Sequence, residues 1–208
     1  MQIGVIGAGA LGTALARRLV AKGHDVTLSF SRDPAKLREA AAKAGARSAS
    51  VAEAAQSAEV IALATPWVVT ELGLRQAGDL SGRIIWDCTN PLKPDFSGLV
   101  IGTDTSGGET VARWASGSRV VKAIPPFADH LMAGDARIHG RPVAVFVCGD
   151  DPDACTVVAR LVADLGAEPV EAGPLATARV AEPFGLLMVQ LAYRQKLGPR
   201  IGVAVLRD

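Results

Sequence analysis

The chain has 208 residues, of which 49% are hydrophobic and 21% are charged, and its 22 Lys and Arg residues nearly balance 21 Asp and Glu residues. This composition excludes a disordered or collagen-like polypeptide, and the charge balance excludes a broad basic surface for nucleic acid or an anionic membrane. We therefore expect a globular protein with a small-molecule partner, and with neither nucleic acid nor a membrane as partner.

Three further features indicate a soluble protein in a reducing compartment. The chain opens without a basic segment and cleavage site that would mark a signal peptide. No apolar run approaches the roughly 18 residues of a spanning helix. Cys88, Cys148 and Cys155 are too few and too irregularly spaced for a disulfide framework or a zinc site. We therefore predict a cytoplasmic protein without a metal site.

The first predicted element is a strand over 3–6, followed at once by Gly7-Ala8-Gly9-Ala10-Leu11-Gly12 and a helix with leucines at helical spacing. In a strand–turn–helix unit, Gly7 permits the tight turn, Gly9 lets the backbone approach a pyrophosphate, and Gly12 lets the helix pack on the strand. The unpaired amides at the helix N-terminus would face the phosphates. The motif therefore predicts a dinucleotide-binding site.

The end of the second predicted strand, 26–30, indicates which dinucleotide binds. An Asp or Glu there would hold the ribose 2′-hydroxyl of NAD, but the chain continues with Ser31 and Arg32, and Lys36 follows one helical turn later. A hydroxyl, a guanidinium and an ammonium suit a 2′-phosphate. Asp33 is the rival ribose ligand, although its position before a proline is that of a helix N-cap. The sequence favours NADP(H).

Further strands are predicted over 47–49, 60–64, 83–87 and 120–123, and the loops after three of them contain proline. These loops are Thr65-Pro66-Trp67, Thr89-Asn90-Pro91 and Ile124-Pro125-Pro126-Phe127. Ligands of an open parallel sheet bind beyond the carboxyl ends of its strands. Stiff proline loops at that edge would hold a nicotinamide ring in one orientation. The alternative is that each proline only ends a strand.

The last third of the chain contains a predicted strand over 142–148, a helix after Pro152 and, after 168–170, a helical segment over 175–197. Val180, Phe184, Leu187 and Leu191 recur in that segment at a spacing of three to four. Two interpretations stay open. The segment packs on the sheet as core, or it closes an acceptor pocket together with Gly173-Pro174-Leu175 or forms the face of a homodimer.

Alternation of strands and helices predicts an α/β fold of the Rossmann type, with a doubly wound, mainly parallel sheet and a small C-terminal α/β extension. We place a dinucleotide-binding domain at 1–125. The extension, at 126–208, is expected to continue the sheet and close the site.

The run GVIGAGALGTALARRLVAKGHDVTLSFSRDPAKL, with ATPW at 64–67, CGDD at 148–151 and EAGPL at 171–175, resembles the NADP-dependent oxidoreductases of coenzyme F420. It is also similar to the related dinucleotide-binding domain of membrane metalloreductases. The resemblance implies that the glycine loop binds the pyrophosphate, that Ser31 and Arg32 bind the 2′-phosphate, that the Pro-Trp loop lies along the cofactor, and that 123–125 flank the nicotinamide. The candidate cofactor-binding residues are Gly7, Gly9, Ala10, Leu11, Gly12, Ser31, Arg32, Lys36, Thr65, Pro66, Trp67, Asn90, Ala123, Ile124 and Pro125.

The resemblance implies hydride transfer between NADPH and a deazaflavin, coenzyme F420, as the acceptor. The loops at 87–92 and 124–127 depart from the family pattern, and both would touch the acceptor. Two alternatives therefore stay open: an NADPH-dependent reductase of a small carbonyl, imine or chelated metal, and a non-catalytic NADP(H)-binding redox sensor.

No catalytic residue is assigned from the sequence. His24, His130 and His139 are not spaced as metal ligands. His130 follows the last proline loop and is the candidate proton donor if the acceptor is a carbonyl or an imine. Hydride transfer to a cofactor-like acceptor needs positioning and exclusion of water more than an acid or a base.

Overall fold

The computed structural model describes residues 1–206. Its strands are β1 Gln2–Ile6, β2 Asp25–Ser29, β3 Arg47–Ser48, β4 Val60–Leu63, β5 Ile84–Asp87, β6 Arg119–Lys122, β7 Arg137–Ile138, β8 Arg141–Pro142, β9 Ala144–Gly149 and β10 Glu168–Gly173. Its helices are α1 Ala10–Ala21, α2 Pro34–Ala44, α3 Val51–Ser57, α4 Thr70–Ala77, α5 Gly107–Trp114, α6 Ala128–Ala133, α7 Pro152–Asp164 and α8 Ala178–Val189. Short 3-10 turns lie at Trp67–Val69 and Leu175–Thr177, and a π-helical turn lies at Gln190–Arg194.

Eight strands form one sheet in the order β3-β2-β1-β4-β5-β6-β9-β10. The first six in the chain pair in parallel, in the order of the doubly wound dinucleotide-binding fold. Strand β9 then pairs antiparallel with β6, and β10 pairs parallel with β9. The predicted α/β class with a mainly parallel sheet is confirmed. The domain boundary at residue 125 stays a prediction.

One predicted strand begins in the wrong place. Pro142 belongs to a two-stranded hairpin of β7 and β8, and the sheet strand β9 starts only at Ala144. A proline has no N–H to donate to a ladder, so it fits an edge better than the interior of a sheet. The hairpin itself was not predicted, because its strands are two residues long.

Helix boundaries follow the signals in the sequence. Asp33 caps α2, since its Oδ1 accepts hydrogen bonds from the amides of Ala35 at 2.8 Å and Lys36 at 3.3 Å. Ser50 and Glu53 form a capping box at the start of α3. Each cap stabilises its helix by about 1 kcal/mol. Asp33 is therefore occupied by the backbone, which argues against its role as a ribose ligand.

The core consists of two apolar layers on the two faces of the sheet. Alternate residues of a strand point to opposite faces, so Val5 belongs to the layer that contains residues of α1 and α7, while Ile6 belongs to the layer that contains residues of α3, α4 and α5. Each fully buried aliphatic side chain of this kind contributes roughly 1.5–3 kcal/mol. Helices on both faces leave the carboxyl ends of the parallel strands as the edge where a ligand can enter.

The motifs CGDD and EAGPL contact each other. The carboxylate of Asp150 accepts a hydrogen bond from the amide of Leu175 at 2.9 Å, and that of Asp151 caps α7 through the amide of Ala154 at 2.7 Å. Leu175 is buried beneath the sheet edge. These residues fix where the chain leaves β10 and therefore where α8 begins.

Candidate functional site

The three glycines of the first loop are required for different reasons. Gly7 has a φ of +125°, and a Cβ there would lie 2.3 Å from the carbonyl oxygen of Ala64. A Cβ on Gly12 would lie 1.8 Å from the carbonyl oxygen of Gly7. Gly9 has an ordinary φ of −80°, and a Cβ there would meet nothing within 4 Å. The fold needs Gly7 and Gly12, whereas the space above Gly9 is open to a ligand.

The N-terminus of α1 is prepared for an anion. Gly9 is its N-cap, no side chain caps the helix, and no acidic residue stands in the first turn. The first amides of a helix have no partner within it and carry a partial positive charge. A pyrophosphate above Gly9 would accept hydrogen bonds from them.

At the end of β2, Phe30 takes the left-handed conformation, with a φ of +63°, which is uncommon for a residue other than glycine. The chain turns there, and Ser31, Arg32 and Lys36 lie exposed beyond the sheet edge. In the described part of the chain, neither the Arg32 guanidinium nor the Lys36 ammonium has a hydrogen-bond or ion-pair partner. Both cations are therefore available to a 2′-phosphate.

A cavity of about 590 Å³ extends from the glycine loop along the carboxyl edge of the sheet. All three proline loops contribute to it, with Thr65, Pro66 and Trp67 after β4, Cys88, Thr89, Asn90 and Leu92 after β5, and Ile124, Pro125, Pro126 and Phe127 after β6. Gly9, Ala10 and Leu11 lie at one end. The structure thus brings together the glycine loop and three loops that are far from it in the sequence.

Some predicted residues lie around this cavity rather than on its surface. Ala123 is fully buried below it, where its carbonyl oxygen accepts a hydrogen bond from Trp86 Nε1 at 2.8 Å. Gly7 and Gly12 support the loop from behind. Lys36 lines a second groove, which shares Gly9 and Ala10 with the first.

The far wall of the cavity is α8. Ala181, Phe184, Gly185 and Met188 line it, at the spacing of one helix face, followed by Tyr193. Val180 and Leu187 are 68% and 49% exposed. Interpreting the apolar stripe of this helix as core packing is therefore wrong: Phe184 faces the cavity, while Val180 and Leu187 face outward. Gly173-Pro174-Leu175 does not line the cavity.

Asn90 has one amide atom without a partner. Its Nδ2 donates to the carbonyl oxygen of Glu182 at 3.1 Å, and its buried Oδ1 accepts from no group in the described chain. A buried acceptor without a partner costs about 1–3 kcal/mol. Asn90 lines the cavity in the loop that follows β5. The atom is suited to an N–H or O–H group of a bound cofactor.

His130 lies outside the cavity. Its side chain is fully buried in α6, and Nε2 lies 3.1 Å from the carbonyl oxygen of Ile201. Its interpretation as a proton donor to the substrate is wrong for this arrangement. The reason is the C-terminal segment, whose position beside α6 the sequence pattern does not reveal.

Tyr193 lies at the cavity mouth and was not predicted. Its ring stacks on Phe96 with centroids 6.1 Å apart and meets Phe127 edge-on at 5.9 Å. Partial burial and the charge of Asp129 raise the pKa of Tyr193, so its hydroxyl stays protonated at neutral pH. It is 50% exposed.

A buried ion cluster was also missed, and its Lys122 lines the cavity. Lys122 Nζ lies 2.6 Å from Asp87 Oδ2 and 3.0 Å from Glu182 Oε1. Burial alone would lower the pKa of Lys122, but the two carboxylates outweigh it and hold that pKa above its ordinary value. The three residues come from β6, β5 and α8, so no local pattern joins them. The one available signal was a charged residue ending each of two apolar strands.

Among residues 1–206, no group of three His, Cys, Asp or Glu residues is arranged to hold a metal ion. No helix in the same range is both long enough and apolar enough to cross a membrane.

Comparison with known proteins agrees with this geometry. Residues 2–91 match the family described as "NADP oxidoreductase coenzyme F420-dependent". Over its full length the chain superposes on a protein of Arthrobacter sp. FB24 provisionally assigned as an F420-dependent NADP reductase, with 28% identity and a TM-score of 0.88. The family match is thus shown for residues 2–91, which are less than half of the chain. The match includes the glycine loop, Ser31, Arg32 and the loop with Pro66, which confirms the prediction of an NADP-dependent oxidoreductase.

Two more relatives show how far the likeness extends. A hypothetical protein of Sinorhizobium meliloti, SMa0349, is 30% identical with a TM-score of 0.80, covering 100% of this chain and 96% of the other. The metalloreductase STEAP3 of Rattus norvegicus is 28% identical over 188 residues, which are 90% of this chain. This chain spans only 37% of that metalloreductase.

Proposed function

We propose that this protein transfers hydride between NADPH and a deazaflavin acceptor of the coenzyme F420 type. The observation that supports this most is the continuous cavity, which joins the anion-binding glycine loop to an apolar space between the proline loops and α8. A dinucleotide and a flat acceptor can lie side by side in such a space.

The cofactor half of the cavity fits NADPH. The amides at the start of α1 would hold the pyrophosphate, and Arg32 and Lys36 would hold the 2′-phosphate. Asn90 Oδ1 would accept a hydrogen bond from the nicotinamide end of the molecule. When bound, NADPH supplies the hydride.

The acceptor half is walled by apolar side chains. Pro125, Pro126 and Phe127 stand on the sheet side and Phe184 and Met188 on the α8 side. Phe184 is itself fixed by an edge-on contact with Phe146, with centroids 5.5 Å apart. Such walls orient a flat ring and exclude water, which is what hydride transfer between two ring systems requires.

Absorbance at 340 nm tests the proposal. The purified protein should oxidise NADPH on addition of the oxidised deazaflavin, with bleaching of the deazaflavin at the same rate. The same assay with flavin mononucleotide measures whether the site discriminates between the two ring systems. No oxidation of NADPH by the deazaflavin at any pH from 5 to 9 would contradict the proposed acceptor and leave the NADP site unaffected.

Tyr193 favours a second candidate, reduction of a small carbonyl or imine. Such an acceptor needs a proton as well as a hydride, and the Tyr193 hydroxyl is a protonated donor at the cavity mouth. A panel of small ketones and imines in the same assay separates the candidates by substrate.

The cytoplasmic location and the homodimer stay predictions. Leu187 and Leu197 are exposed beside the cavity, and a dimer that covers α8 would bury them. Sedimentation of the purified protein tests this.

A further inference from the structure

The N-terminus of α5 is capped by a side chain from a distant helix. Ser106 Oγ accepts from the amide of Glu109 at 3.1 Å. The amides of Gly107 and Gly108 donate instead to the carboxylate of Glu182, at 2.8 Å to Oε2 and 2.9 Å to Oε1. Glu182 lies on α8, so one carboxylate joins the two helices and opposes the positive end of α5.

The two glycines of α5 make room for this contact. A Cβ on Gly107 would lie 2.9 Å from Glu182 Oε1. A Cβ on Gly108 would lie 3.2 Å from both Lys122 Cε and Leu175 Cδ1. Both glycines have ordinary backbone angles, so their lack of a side chain serves packing and not a turn. The Gly-Gly pair marks the place where α8 approaches α5.

Glu182 is also paired in charge. Lys122 Nζ lies 3.0 Å from Glu182 Oε1 and 2.6 Å from Asp87 Oδ2, and it donates to the carbonyl oxygen of Thr89 at 2.9 Å. The side chains of these three charged residues are at most 2% exposed. A buried charge that loses its partner is strongly destabilising. Moving α8 away from the sheet would separate Glu182 from Lys122, so the ion pair holds the helix in its place.

The same residue holds the cavity wall. Asn90 Nδ2, in the loop after β5, donates to the carbonyl oxygen of Glu182 at 3.1 Å. Ala181 and Phe184, on either side of Glu182 in the sequence, line the cavity. The carboxylate therefore fixes one side of α8 to β6 and α5 while the neighbouring side of the same helix turn faces the acceptor.

We propose that Glu182 is a positioning residue for the hydride acceptor: its buried carboxylate sets the distance of α8 from the sheet and so the width of the acceptor half of the cavity. This inference rests on the proposed function, because it assigns the α8 side of the cavity to the acceptor.

Arg179 supplies a matched control. It joins the same two helices through Glu109, with Nη2 2.6 Å from Oε1 and Nε 2.9 Å from Oε2, but this pair is on the surface. Glu182→Gln keeps the side-chain size yet removes the charge and one acceptor. Arg179→Gln removes an exposed ion pair of the same helices.

In the kinetic experiment, Glu182→Gln should raise the KM of the acceptor by about tenfold or more, because small displacements of a binding wall are costly. The Kd of NADPH, measured by fluorescence, should stay within about twofold of the parent value, and Arg179→Gln should leave both within about twofold. A merely structural role would lower the thermal midpoint without changing the KM of the folded enzyme, and that result would overturn the proposal.

Hydrogen exchange tests the inference without any acceptor. The amides of 178–189 should exchange faster in Glu182→Gln than in Arg179→Gln, with the amides of β1 unchanged. If the deazaflavin is not turned over, the proposed function fails while this measurement still decides the role of Glu182. Equal exchange in the two variants would overturn it.

Gly108→Ala covers the case in which Glu182→Gln does not fold. The added Cβ would lie 3.2 Å from Leu175 Cδ1 and from Lys122 Cε and 3.4 Å from Ala178 Cβ, so it would displace the start of α8 while leaving the number of charges unchanged. We expect a smaller rise in the acceptor KM in the same direction, and faster exchange over 178–189. Parent values for both would contradict the positioning role.

Discussion

The cofactor half and the acceptor half of the cavity are built in different ways. The proposed cofactor half lies within one continuous stretch, from β1 to the loop after β5, and it would contact its ligand mainly through backbone amides and the cations of Arg32 and Lys36. The acceptor half is assembled from the loop after β6, from α8 and from Tyr193. Asp87, Lys122 and Glu182, from three separate elements, hold it together.

The family match covers residues 2–91, which belong to the cofactor half and not to the acceptor half. Backbone amides bind a pyrophosphate whatever side chains surround them, so the cofactor half needs only a few fixed residues. The acceptor half recognises its ligand by shape, which depends on every side chain of its walls. Members of one family can therefore share a cofactor and differ in the acceptor.

The largest expected effect concerns Gly9, and it tests whether the cofactor half is a backbone site. Gly9→Val should weaken NADPH binding by about 100-fold or more, equivalent to about 2.8 kcal/mol, because the side chain would fill the space that is open above the loop. The thermal midpoint should stay near that of the parent. Titration of NADPH by fluorescence measures the first quantity and calorimetry the second.

Gly12→Ala is the control for this prediction. Its Cβ would lie 1.8 Å from the carbonyl oxygen of Gly7, so the fold itself should lose about 1–3 kcal/mol or more. Undiminished NADPH binding by Gly9→Val would mean that the pyrophosphate binds elsewhere.

A smaller effect on cofactor affinity is expected at Arg32. It tests whether a side-chain cation, and not only the backbone amides, contributes to cofactor binding. NADPH should bind at least tenfold more tightly than NADH, about 1.4 kcal/mol, because a guanidinium and an ammonium would contact the 2′-phosphate in the proposed site. Arg32→Glu should reverse this order through repulsion of the phosphate. Arg38→Glu, the same charge change on the exposed surface of α2, should preserve it. Equal affinities of the parent protein for the two cofactors would refute the assignment.

The two halves also differ in how far the sequence predicts them. The glycine loop, the N-caps Asp33 and Ser50, and the end of β2 carry local signals, because each involves residues within about one helical turn. Glu182 caps a helix 74 and 75 residues earlier in the chain, and His130 is covered by Ile201, 71 residues later. Patterns of three to four residues contain no information on such partners, so the sequence left open both the packing of α8 and the role of His130.

The third prediction is a pH dependence of the folding stability, which comes from an ion pair between α5 and α8, beside the acceptor half. Hydrogen bonds from Arg179, followed by those from Ser106, lower the pKa of Glu109 to about 2. The unfolded chain, with an ordinary pKa near 4.5, binds the proton more strongly, so the ionised carboxylate stabilises the fold above that value. The contribution should be lost as the pH falls from about 4.5 to about 2.

Urea unfolding of the parent and of Glu109→Gln measures this contribution. The difference in midpoint should be small, because Arg179 is 42% exposed and solvent screens the pair. It should be largest near neutral pH, shrink below pH 4.5 and weaken further in high salt. A difference in midpoint that grows as the pH falls would contradict the direction of the pKa shift. The affinity of Glu109→Gln for NADPH should equal that of the parent protein.

The smallest expected effect is at Tyr193. A substitution there tests whether the acceptor receives a proton from the Tyr193 hydroxyl. If the acceptor is a deazaflavin, the hydroxyl contributes no proton to the transfer, and Tyr193→Phe keeps the ring that contacts Phe96 and Phe127. The kcat with the deazaflavin should then stay within about twofold of the parent value.

A carbonyl or imine reductase that uses this hydroxyl as its acid should lose about 10² to 10⁴ in rate. Tyr193→Ala, which also removes the ring, serves as the comparison, since it should raise the acceptor KM in either case. A large loss of kcat in Tyr193→Phe with an unchanged KM would contradict the deazaflavin as acceptor. It would support an acceptor that must be protonated, such as a carbonyl or an imine.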